Sequence, residues 1–173
     1  MMEQSLREYL EALRSKGWRV ELWEGGTPPP LDSSFTQRYP SIPADYLEFL
    51  QHVKRCENAD ETVWFLCLDD YNGTSDSGWA WNEMEKLELE EADEKTRAET
   101  VAFWDRHMPF MFSVGGEYGY LAFRVGEEPF GSVVEAWEVL TEVTERARSF
   151  EEFVRLHTAV LKGNRDDVLF DYV

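Results

Sequence analysis

Leu6, Leu10 and Leu13 stand at helical spacing among charged residues, and Gly17 follows as a stop, which predicts a helix over Glu3 to Lys16. Trp18, Val20 and Leu22 then alternate with Arg19, Glu21 and Trp23, the periodicity of a strand with one buried face. The Gly25–Pro30 run can continue neither element and reads as a surface loop. A second helix opens at Ser41-Ile42-Pro43, where a proline suits the first turn, and carries Tyr46, Phe49, Leu50 and Val53 as its stripe. Thr62 to Leu68 is apolar on both faces and predicts a central strand covered on both sides.

Asp69 to Gly78 reads as a polar loop leading to Trp79-Ala80-Trp81. The acidic run Glu83 to Glu94 leads into a helix over Thr96 to His107, with Ala98, Val101, Ala102, Phe103 and Trp104 expected inward. Phe110 to Val114 and Gly119 to Val125 are two strands joined through Gly115-Gly116-Glu117-Tyr118, expected as a hairpin with glycines at positive φ. Ser132 to Trp137 is a further strand. Ser149 caps a last helix carrying Phe150, Phe153, Val154, His157 and Leu161, with Glu152 at the capping-box position, and Asp166 to Val173 is a short mixed tail. Helices and strands in this order, without repeats, predict one α+β domain over residues 1–173. Its expected core holds Trp64, Leu66, Leu68, Phe112, Val114, Leu121, Phe123, Phe150 and Phe153.

Charge changes the picture most. The net charge is -18, and Cys56 to Asp105 holds fifteen Asp and Glu against only Lys86, Lys95 and Arg97, a local balance of -12. Trp64, Trp79, Trp81 and Trp104 lie in the same stretch, so it is acidic without being a structureless tail. Such a surface repels nucleic acid and anionic lipid and attracts basic proteins. The apolar fraction of 43% supports a globular core. The polar start lacks the apolar segment of a signal peptide, no run approaches a membrane span, and Cys56 and Cys67 form no CxxC; a cytoplasmic location is expected.

The chemical motifs mostly fail. Gly115 to Gly119 runs into a strand, whereas a phosphate-cradling loop runs into a helix. A calcium loop built on Asp70 and Asn72 would put Leu68 and Trp79 at ligand positions. His52 and Cys56 are four apart, a spacing that on a helix would present two metal ligands on one face, but no second pair exists. Asp69, Asp70, Asp76 and Glu117 are loop carboxylates that general acid–base chemistry could use, yet 35 acids make neighbouring pairs expected by chance. No metal, cofactor or catalytic residue is expected.

Four stretches carry a resemblance: Ser41-Ile42-Pro43-Ala44-Asp45-Tyr46-Leu47-Glu48-Phe49-Leu50, Trp64 to Leu68, Phe112 to Phe123 with its glycines, and Ser149-Phe150-Glu151-Glu152-Phe153-Val154. In this order, over about residues 35–160, the chain resembles the SUKH superfamily, which contains the yeast cell-wall-assembly and killer-toxin-resistance regulator and many bacterial immunity proteins. The long acidic insertion Glu83 to Arg106 departs from the pattern, as does Arg55-Cys56-Glu57-Asn58-Ala59 after the first family helix. The resemblance implies a mixed, mainly antiparallel sheet wrapped by helices, and a non-enzymatic domain that binds and blocks a cognate polymorphic toxin, often a nuclease. The alternative is a regulatory scaffold for basic or disordered proteins, and a small-molecule enzyme stands third. Asp69, Asp70, Asp76 and Glu117, flanked by Trp79 and Tyr118, are the expected surface for a basic protein partner.

Overall fold

A computed structural model describes residues 3–164 and Tyr172. The chain begins with α1 (Glu3–Ser15), which buries Leu6, Tyr9, Leu10, Ala12 and Leu13. Gly17, at φ 84°, ends it with a left-handed turn that only glycine adopts readily. Then come β1 (Arg19–Leu22), α2 (Ser33–Arg38), whose N-terminal amides are capped by Asp32, and α3 (Ala44–His52), preceded by Pro43. The strands β2 (Val53–Glu57) and β3 (Val63–Phe65) follow, then α4 (Leu68–Tyr71), α5 (Glu83–Glu91) and α6 (Glu94–Arg106). The chain closes with β4 (His107–Ser113), β5 (Gly119–Arg124), β6 (Val133–Trp137), β7 (Thr144–Ala147) and α7 (Phe150–Leu161).

The seven strands form one sheet in the order β1 to β7, each pairing antiparallel with its neighbours. The sheet is therefore antiparallel throughout rather than mixed. The fold is α+β, as the order of elements predicts.

Strand alternation assigns each helix to a face. Phe123 touches Tyr46 of α3 and Phe150 of α7, and stacks on Phe110 with ring centroids 4.3 Å apart. Its neighbour in sequence parity, Tyr120, points the other way and meets Trp104 of α6 at 4.8 Å. Trp64, Phe112 and Tyr120 are register partners across β3, β4 and β5, so they share that second face. Gly119 has no room for a side chain, since a Cβ there would come within 2.3 Å of the Trp137 ring.

Several expectations change in detail. β3 is only three residues long, and Leu68, expected as the last residue of that strand, opens α4, which runs on into the expected loop. A bulge at Glu21/Leu22 breaks the alternation of β1, leaving Leu22 exposed while Trp23 packs on the core. On α6, Ala98, Val101 and Ala102 face outward. The buried stripe is Thr100, Phe103 and Trp104, continued by His107 at the start of β4. Of the expected core, Trp64 and Val114 are only half-buried. The hairpin glycines Gly115 and Gly116 do not take positive φ; a Cβ on Gly115 would instead press on Thr62 at 3.3 Å. Apart from Tyr172, the tail Asp166 to Val173 lies outside the described residues.

Candidate functional site: an acidic cleft with an aromatic rim

β1, β2 and β3 meet α4 and the loop after it around a cleft of about 620 Å³. The loop is held from several sides. The backbone carbonyl of Asp69 accepts from the amides of Thr74 and Ser75, at 2.9 and 3.1 Å, and Gly73 at φ 70° makes the turn. Asn72 accepts from the Asp32 amide at 2.7 Å and donates to the Pro30 carbonyl at 2.9 Å. The Ser75 hydroxyl accepts from the Ser77 amide and the Ser77 hydroxyl from the Trp79 amide, both at 3.1 Å. These serial bonds deliver Trp79 to the cleft wall, where it meets Trp64 at 6.0 Å and Phe112 at 6.2 Å.

Asp69, Asp70, Asp76 and Trp79 all line this cleft. Tyr118 does not line it, but joins its rim by packing edge-on against Trp79, with centroids 5.1 Å apart. Glu117 is exposed beside Tyr118 and stands apart from the cleft lining. Sequence reading missed Glu21, Arg55, Glu57 and Glu61, which also line it. No glycine or proline break after α3 marks the strand Val53-Lys54-Arg55-Cys56-Glu57 in the sequence.

The cleft carries more negative than positive charge. Its cations are Lys54 and Arg55. Arg55 bridges Glu57 at 3.0 Å and Asp76 at 3.6 Å, so its charge is already shared. Arg19 also reaches Glu57, at 3.6 Å. Asp69 has no cation within 4.0 Å among the described residues, only a long 3.4 Å hydrogen bond from the Thr74 hydroxyl. Asp70 has a different job: its carboxylate accepts the Cys67 amide at 2.8 Å at the start of α4. Burial pushes its pKa up, and the amide of Cys67 and the hydroxyl of Ser75 only partly oppose this. Glu61 sits at φ 57°, left-handed and unusual for a non-glycine; the Asn58 side chain holds that turn by accepting the Thr62 amide at 2.8 Å.

The acidic insertion folds back on the body. Arg38 grips Glu85 with two hydrogen bonds of 2.7 and 2.9 Å and reaches Asp105 at 2.9 Å, while Trp104 donates to Glu88 at 2.7 Å. Part of the insertion's charge is thus structural. His52 is exposed at the end of α3 whereas Cys56 is buried in β2, so the two do not share a helical face. Burial pushes both cysteine thiols up, away from reactivity. Among the described residues no group of three His, Cys, Asp or Glu could hold a metal ion, and no helix is long and apolar enough to cross a membrane.

Residues 34–156 match the SMI1 / KNR4 family (SUKH-1). No curated protein matches the chain. The family match runs from α2 into α7 and covers well over half of the 173 residues, so the chain belongs to this family. Membership is consistent with an immunity or regulatory protein-binding domain.

Proposed function

We propose that this SUKH-1 protein is a non-enzymatic, cytoplasmic immunity protein that binds a basic toxin domain through the acidic cleft and its aromatic rim. The observation that carries this reading is the gathering of Asp69, Asp70 and Asp76 in one cleft with Trp79, with Tyr118 packed on its edge. Toxins that act on nucleic acid must bind phosphate, so their active faces are basic. An acidic surface is steered onto such a face and blocks the path of the nucleic acid. Exposed Glu117 beside Tyr118 adds charge at the rim. The arrangement needs no cofactor and no catalytic residue to do this.

The test is co-expression with the product of a toxin gene lying next to this one, followed by co-purification and a nuclease assay. A stable complex that silences the toxin supports the reading. A toxin that stays active and elutes alone contradicts it. The family also suits a regulatory scaffold for basic or disordered proteins; the lack of any neighbouring toxin gene would favour that.

A further inference from the structure

The rim continues past Tyr118. The Glu138 amide donates to the Tyr118 carbonyl at 3.3 Å, which ties the hairpin tip between β4 and β5 to the turn after β6. Val139, next in that turn, is 52% exposed and Tyr118 is 41% exposed, both among the large apolar residues that stay exposed in the described chain. Exposed Glu117 and Glu138 adjoin them in sequence and the amide of exposed Glu142 donates to the Val139 carbonyl at 2.9 Å; none of the three carboxylates has a cation within 4.0 Å among the described residues. Apolar side chains edged by unpaired carboxylates suit a ligand that is both flat and positively charged.

We propose that the cleft and the Trp79–Tyr118–Val139 ridge form one continuous docking surface for an extended, arginine-bearing segment of a basic protein partner. The inference rests on the protein-binding reading above and adds the chemistry of the bound segment. Charge complementarity selects a basic segment, since Asp69 and the three rim glutamates lack cations of their own. The aromatic wall selects arginine over lysine. A guanidinium lies flat on an aromatic ring while still pointing its N–H groups at carboxylates, whereas an ammonium is a compact, strongly hydrated charge. Val139 would cover the aliphatic stem or an apolar neighbour.

The experiment titrates the full chain with nona-arginine and with nona-lysine peptides by calorimetry, following tryptophan fluorescence in parallel. Nona-arginine is expected to bind about threefold more tightly than nona-lysine, the preference of exposed cation–π contacts. Tyr118→Ala should erase that preference and Val139→Ser should weaken both peptides alike, and both positions are exposed enough to leave folding intact. Asp69→Asn with Asp76→Asn should weaken both peptides. As a control for simple attraction to a chain of charge -18, Glu90→Gln with Glu94→Gln on the insertion should leave the affinity for both peptides close to the parent's. Equal binding of the two peptides, or an equal effect of the control pair, overturns the proposal. A toxin that binds the protein but is not displaced by nona-arginine sinks this surface and leaves the protein-binding reading standing.

Discussion

Trp79 meets Tyr118 edge-on, with ring centroids 5.1 Å apart and planes at 87°, and so joins the loop after α4 to the hairpin between β4 and β5. Two segments far apart in sequence are fixed to one another at the cleft mouth. Edge-to-face pairs contribute about 0.5–1.5 kcal/mol beyond their buried area. Single and double substitutions of Trp79 and Tyr118 to Ala should therefore show a coupling of that order in urea unfolding. Strict additivity would mean that the rim is not held together by this contact.

Asp70 separates structure from recognition. Asp70→Ala strands the Cys67 amide and should cost about 1–3 kcal/mol. Asp70→Asn keeps the acceptor, removes a charge that burial disfavours, and should change stability by less than about 1 kcal/mol at neutral pH. Denaturant melts of the pair check this, and equal losses would contradict it.

His157 makes stability depend on pH. It is fully buried, with the Tyr172 carbonyl 2.9 Å from Nε2 and the Tyr9 hydroxyl 2.7 Å from Nδ1. A carbonyl only accepts, so Nε2 carries the proton and Nδ1 accepts from Tyr9. Burial pushes the histidine down to about 4. A base with a depressed folded pKa is stabilised in its neutral form, so its contribution is full above the unfolded value near 6.5 and is lost as pH falls toward about 4. The loss reaches about 3 kcal/mol at most. Unfolding free energies measured against pH should fall over that window in the parent and be flatter in His157→Gln.

The sheet and its main helices are legible in the sequence because their residues obey one period each. Phe123 is read as core and is buried between Phe110, Tyr46 and Phe150. Phe123→Ala should accordingly lose about 3–5 kcal/mol in equilibrium unfolding, and a loss below about 1 kcal/mol would count against a single packed core.

What escapes the sequence does so for physical reasons. β2 follows α3 with no breaker and carries Lys54 and Arg55, whose charge hides a strand that buries only Cys56 and its ends. On α6 the small apolar residues Ala98, Val101 and Ala102 are as many as the true stripe of Thr100, Phe103 and Trp104 and mask it, since surface packing tolerates alanine on either side. The candidate site was half legible: the Asp69-to-Trp79 segment stands out by charge and aromatic content. Arg55, Glu57 and Glu61 do not, because only the pairing of β2 with its neighbours brings them to that cleft. Asp70 looks like its neighbour Asp69 in sequence, and only the Cys67 amide tells them apart.

The most direct test of the central claim is the association rate of the Asp69→Lys, Asp76→Lys double variant with a purified toxin partner, measured from low to high salt by stopped flow. Both side chains face the cleft without capping a helix. The acidic-cleft account predicts a rate about tenfold or more below the parent at low salt, a flatter decline as salt rises, and convergence of the two proteins once charges are screened. Rates equal to the parent at every salt concentration would contradict it and place the interface elsewhere.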